Sequence, residues 1–215
     1  EVAKPGYYSV PLTRYGITAE MTATNRVGLH RYTFPQSEEA GIVINLMNGG
    51  CWDRPMDAQI ERVDPMTGQP DPNGQALRGY RYSRGWADDQ KVYFYAEFSK
   101  PFKDFKVLRG NIQIWEDEFK DMAAFAHAYF EAKPQEQIMM KVALSPVSME
   151  NAYENMQAEL PDWDFDKTVT EAENAWNDEL GRIRIETDDD DARKIFYTAL
   201  YHSMIAPSTF SDIDG

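Results

Sequence analysis

The stretch Ile17-Thr18-Ala19-Glu20-Met21-Thr22-Ala23 decides the fold class. Its apolar residues Ile17, Ala19, Met21 and Ala23 alternate with Thr18, Glu20, Thr22 and Thr24. Successive side chains of an extended chain point to opposite faces, so a period of two predicts a strand with one apolar face. Val92, Phe94, Ala96 and Phe98 repeat the pattern against Tyr93, Tyr95 and Glu97, and Ile138, Met140, Val142 and Leu144 repeat it again. Less regular versions cover Ile42–Leu46, Ala58–Val63, Leu77–Tyr82, Val107–Trp115 and Ala124–Phe130. Turn residues separate them: Asn25, Asn48-Gly49-Gly50, the Pro- and Gly-rich run from Pro65 to Gly74, Asp88-Asp89 and Lys133-Pro134. About eight or nine strands, each with one apolar face, bury those faces most simply as two packed antiparallel sheets. The chain therefore reads as mainly β, with an antiparallel β-sandwich over residues 1–146.

After Pro146 the period becomes helical. Ser148 is placed to cap a short helix, and Pro161-Asp162 interrupt it. Phe165, Val169, Ala172, Trp176 and Leu180 mark a second helix capped by Asp164. Gly181 is expected to end it in the left-handed conformation. Arg182–Glu186 alternates and predicts a short strand. Residues 147–187 read as a helical linker. Asp188–Asp191 then opens a last helix, where clustered carboxylates either complement the amide dipoles or wrap a cation. Ala192, Ile195, Phe196, Ala199 and Leu200 give that helix one apolar stripe. Such a stripe is expected to be buried, and nothing after Gly215 supplies partners for it. The chain is accordingly expected to be part of a longer protein.

Composition narrows the function. With 36 acidic against 22 basic residues the chain carries a formal charge of −14. Such a charge opposes binding to a nucleic-acid backbone or an anionic membrane surface, and it suits neutral ligands. No apolar run reaches 18 residues, so no membrane span is predicted. Cys51 is the sole cysteine, which excludes an internal disulfide and a thiol-rich zinc site. Gly-rich phosphate loops, Gly-x-Ser-x-Gly elbows and His-Glu-x-x-His motifs are absent.

Candidate binding residues are few. His30 and His127 sit in strand patterns without a second ligand at a fixed spacing, and His202 sits where a cation complements a helix C-terminus. Trp176 falls on an apolar helical stripe, while Trp115 and Trp163 are undecided. Trp52 and Trp86 adjoin Gly49-Gly50 and Gly85, so they are candidates either to stack on a sugar face or to plug the end of the sandwich. Ser211-Asp212-Ile213-Asp214-Gly215 brings alternate carboxylates before a glycine. That arrangement suits a polyol or cation, and equally an Asx turn that redirects the chain.

Several long segments resemble glycoside hydrolase family 92. They are Tyr7-Tyr8-Ser9-Val10, Tyr15 to Pro35 (YGITAEMTATNRVGLHRYTFP), Val92 to Phe102 (VYFYAEFSKPF), and the terminal FYTALYHS and PSTFSDIDG of residues 196–203 and 207–215. The resemblance implies a calcium-dependent, inverting exo-α-mannosidase that acts on mannose-containing glycans and is secreted or periplasmic. It implies a β-sandwich, then linker helices, then an (α/α)6 barrel, with residues 188–215 as the start of that barrel and the active site between the two parts. Inversion uses one carboxylic acid on the leaving oxygen and one carboxylate on water, about 6.5–9.5 Å apart. The family's Gly- and Trp-rich opening segment and most of its barrel have no counterpart here. No catalytic residue or calcium ligand therefore carries over, and those are expected outside this chain. Ser211, Asp212 and Asp214 match the family's motif after the first barrel helix, which implies a structural or substrate-proximal role. Two other expectations stand beside this one: a non-catalytic carbohydrate-binding sandwich that uses Trp52 or Trp86, and a scaffold that holds the barrel.

Overall fold

The computed structural model describes residues 1–47, 53–109, 112–114, 118–121, 125–206 and 208–215. Its strands are β1 (Val2–Lys4), β2 (Tyr7–Leu12), β3 (Ile17–Ala23), β4 (Val27–Phe34), β5 (Ser37–Asn45), β6 (Arg54–Val63) and β7 (Ala76–Arg84). They continue as β8 (Gln90–Phe98), β9 (Asp104–Arg109), β10 (Ile112–Ile114), β11 (Glu118–Asp121), β12 (Phe125–Ala132) and β13 (Glu136–Ser145). Helices α1 (Met149–Glu159), α2 (Phe165–Leu180) and α3 (Asp190–Ser203) follow. Nine strands form one sheet in the order β1-β2-β3-β4-β13-β8-β7-β6-β11, and four form a second in the order β10-β9-β12-β5. Every pairing among the described residues is antiparallel.

Most of the strands predicted before Pro146 are present, and the decisive segment is β3 itself. Thirteen strands occur among the described residues, more than the eight or nine expected. The additional ones include the short β1 and β10, of three residues each. Val107–Trp115 is not one strand. Its described part belongs to β9 and β10, which pair as a hairpin, and Trp115 lies outside the described residues.

The expectation of one apolar face per strand is corrected at the centre of the large sheet. Phe94, Ala96 and Phe98 of β8 point to the other sheet and join Phe34, Ile60, Leu77, Phe130 and Ile138 in the inter-sheet core. Tyr95, on the opposite face of β8, is also fully buried, because α1 covers that face. A second core of Val27, Leu29, Val63, Tyr95, Met156 and Phe165 lies there, between the sheet and the helices. The order of layers is thus small sheet, large sheet, helices. Lys141 is enclosed in the second core with its Nζ donating to Leu160 O at 3.0 Å and Pro161 O at 3.2 Å. Its (CH₂)₄ stem packs like an aliphatic side chain while the ammonium caps the end of α1.

Local signals set the helix ends. Ser148 accepts from Asn151 N, Asp164 from Lys167 N, and Asp189 from Asp191 N and Ala192 N. The acidic run before α3 therefore acts as a cap. Gly181 does not adopt the left-handed conformation expected of it; its φ and ψ are −71° and −6°. Glycine is needed there for space, since a Cβ would stand 2.7 Å from Asn177 O. Arg182 lies in the turn after α2, Ile183 in a bend, and 184–186 form no strand, so the short strand predicted there is absent. The apolar stripe of α3 is not buried. None of its residues is buried, and Ile195 is 69% exposed.

Candidate functional site

At one end of the large sheet three chain segments meet. The β3–β4 turn supplies Arg26. The end of β13 supplies Ser145, which is paired in register with Tyr93 of β8. The chain after α3 returns to this end and lays Ser211–Gly215 against the start of α1. The β7–β8 turn, with Trp86, projects from the same end, because Ser145 lies only three residues along the ladder from Gln90 at the start of β8.

Asp212 is the centre of this junction. It is 3% exposed. Its Oδ1 accepts from Asn155 Nδ2 at 2.7 Å, and its Oδ2 accepts from Ser145 Oγ at 2.8 Å and Asn151 Nδ2 at 3.0 Å. Ile213 N donates to Asn155 Oδ1 at 2.9 Å. Arg26 holds the backbone of the same loop: Nε donates to Ser211 O at 2.7 Å and Nη2 to Asp212 O at 3.1 Å. The guanidinium is itself anchored by Glu159 at 2.6 Å. Burial pushes the Glu159 carboxyl up, but donation by the Thr24 hydroxyl and by Arg26 outweighs it and holds the group below its ordinary range.

The sequence-derived candidates separate here. Asp212 is buried with both oxygens occupied, whereas Ser211 and Asp214 are exposed. Trp86 is displayed, at 89% exposure, at the same end of the sheet. Trp52 lies outside the described residues. Trp176 is half-buried and meets Tyr201 edge-on with 4.8 Å between ring centroids. Trp163 lies under the Lys141 ammonium, 4.3 Å from its ring. His30 and His127 each pair with a tyrosine hydroxyl on their own strand, Tyr32 and Tyr129. Burial pushes both imidazoles below their ordinary value. An open trough of about 2100 Å³ runs between the β1–β3 edge, α2 and the face of α3 that carries Tyr197, Thr198 and Tyr201.

Sequence reading missed Arg26, Ser145, Asn151, Asn155 and Glu159, and with reason. None lies in a local motif with Asp212, and the topology alone assembles them. It also missed the tyrosines beside them. Tyr80 and Tyr82 stack at 4.3 Å, Tyr93 meets both edge-on, and the Tyr82 and Tyr93 hydroxyls are 3.1 Å apart. Tyr93 shares the face of its paired neighbour Ser145, so this aromatic shelf lies beside the end of β13. Among the described residues no group of three or more His, Cys, Asp or Glu could hold a metal ion.

Models of the glycosyl hydrolase family 92 N-terminal domain and of the family's catalytic domain match residues 1–145 and 151–215. The chain belongs to glycosyl hydrolase family 92. Over its whole length it superposes on the family GH92 α-mannosidase BT3965 from Bacteroides thetaiotaomicron with a TM-score of 0.89 at 30% identity, covering 28% of that protein. BT3965 has also been solved in complex with mannoimidazole. The family GH92 inverting mannosidase BT2199 of Bacteroides thetaiotaomicron VPI-5482 is similar over 96% of this chain and 26% of its own, with a TM-score of 0.81 at 26% identity. An uncharacterized secreted glycosidase of Arthroderma benhamiae is 28% identical over 97% of the chain and 29% of its own length. The family 92 chain described here thus spans between a quarter and a third of the length of these relatives.

Proposed function

We propose that this chain is the sandwich and opening helical portion of a secreted or periplasmic exo-α-mannosidase that removes terminal mannose from glycans, N-glycans among them. The observation that carries the reading is the unbroken likeness to the GH92 α-mannosidase BT3965 across both parts of the chain. The likeness to an inverting mannosidase favours single displacement, in which one carboxylic acid protonates the leaving oxygen while a carboxylate activates water on the opposite face. No residue of this chain is assigned either role. Asp212 is fully engaged in hydrogen bonds. Calcium dependence is proposed from the likeness to the family, but the described residues include no group of three or more acidic, His or Cys side chains to hold the ion. No step is therefore routed through the metal, and its ligands are proposed to lie outside these 215 residues.

Within this chain, Ser211 and Asp214 are proposed to stand near the sugar, and Trp86 and Trp52 to offer stacking surfaces. Trp86 also supports a second reading, a sandwich that binds glycan without cleaving it. Its exposure at the end of the sheet that carries the Ser211–Gly215 loop is the observation in favour.

The test compares the purified 215-residue chain with the product of the complete reading frame on an aryl α-mannoside, following the released anomer by NMR. The complete protein is expected to release β-mannose first and to lose activity in a chelator, and the 215-residue chain is expected to be silent. Turnover by the 215 residues alone refutes the division of labour. Glycan binding without turnover in the complete protein, abolished by Trp86→Ala, favours the second reading.

A further inference from the structure

From the junction at the end of the large sheet we infer that Asp212 is a positioning residue. Its buried carboxylate latches the Ser211–Gly215 loop to the sandwich and α1, and so sets where Ser211 and Asp214 stand. The inference rests on the proposed mannosidase reading only for what the loop is positioned to meet.

Three observations carry it. First, the latch is bought at a real desolvation cost. A carboxylate that is 3% exposed is retained there without a cationic side chain, its three donors being the neutral Ser145, Asn151 and Asn155. A buried charge is tolerated only where its hydrogen bonds are complete, and such bonds are stronger than neutral ones. Second, the donors come from both sides of the family's division. Ser145 ends the sandwich, while Asn151 and Asn155 lie on α1. Ser145 Oγ also accepts from Val147 N at 2.9 Å and Ser148 N at 3.2 Å, so the same hydroxyl that meets Asp212 fixes the turn into α1. Third, the arrangement discriminates a carboxylate from its amide isostere. The Asn155 amide has its orientation dictated: Nδ2 also donates to Leu144 O at 2.9 Å, and Oδ1 accepts from Ile213 N. The Asp212 oxygen beside it must accept, and the other accepts twice. An asparagine at 212 would turn an N–H toward at least one donor. Because α3 buries none of its own side chains, the latch and the contact between Trp176 and Tyr201 carry much of its placement.

The experiment is amide hydrogen exchange on the 215-residue chain, with kinetics on the complete enzyme. Asp212→Asn is expected to leave the exchange of β8 and β13 amides unchanged. The Ile213 amide, protected by Asn155, is expected to exchange like an exposed loop amide. In the complete enzyme the same variant is expected to lower kcat/KM about 100-fold, the scale of a group displaced by roughly 1 Å. Asp214→Asn is expected to lower activity without altering exchange. Unchanged Ile213 exchange in Asp212→Asn overturns the inference, as does a loosened loop with full activity. If Asp212→Asn fails to fold, Ser145→Ala removes one of the three bonds instead, together with the two that its hydroxyl accepts in the turn into α1. Loop amides that loosen before the core then support the latch, and loop and core loosening together overturn it. A complete protein without mannosidase activity but with the predicted exchange sinks the mannosidase reading and leaves the latch standing.

Discussion

Arg31 makes four contacts from one side chain. Nε and Nη2 grip Glu20 on the facing strand at 2.8 Å each, and Nη1 reaches Asp166 at 3.0 Å. The guanidinium also lies 4.0 Å from the Phe165 ring centroid. It thereby fastens the β3–β4 hairpin to the start of α2, a geometry that a planar fork provides and a lysine would not. Donation from Arg31 holds the Glu20 carboxyl below its ordinary value of 4.5, against the upward push of burial. A depressed acid contributes stability that is present above 4.5 and is lost as pH falls through the folded-state value. Arg31→Met should therefore lower stability near neutrality, on the order of 2 kcal/mol. It should also flatten the fall in melting temperature below pH 4.5, the ordinary carboxyl value. Melting curves from pH 3 to 7 check both. Sequence reading placed Glu20 on its strand, and the hairpin register then set it opposite Arg31. The third partner, Asp166, is 135 residues away and was invisible to it.

At the scale of elements, α1 shows how far local chemistry goes. The cap at Ser148 was legible because an N-cap interacts within its own turn. The face that α1 buries was not, since its hydrophobic content is low and its fully buried residues include Asn155. Met156 is its apolar anchor, fully buried against the large sheet. Met156→Ala should cost about 3 kcal/mol in urea unfolding, the usual penalty for an emptied core position. A loss below about 1 kcal/mol would mean that α1 is only loosely docked. Gly181 fails as a sequence inference for a different reason. Glycine at a helix end predicts left-handed geometry, but here it is selected by the approach of the Asn177 carbonyl.

For the whole molecule, the large sheet serves two cores at once. The inter-sheet core was predictable from period two, because strand side chains alternate whatever lies beyond them. The second core was not, because its strand residues include Tyr95 and Lys141, whose polar tips read as solvent-facing. The α3 stripe presents the opposite case: an apolar pattern was legible, but in this chain no residue of the helix is buried. Ile195→Glu in this 215-residue chain should change unfolding free energy by less than about 0.5 kcal/mol, as at an exposed site. In the complete protein it should cost several times more if helices cover the stripe. Paired denaturation curves check both.

The sequence by itself determined most of the sandwich strands, the caps at Ser148 and Asp164, the switch from strands to helices and the family, since each is written in neighbouring residues. Only the tertiary structure decided which second face is buried and which carboxylate of the terminal loop is locked. Asp212 meets Asn155, Asn151 and Ser145 across 57, 61 and 67 residues of chain. Burial of a charge depends on such distant donors, and no local spacing encodes them.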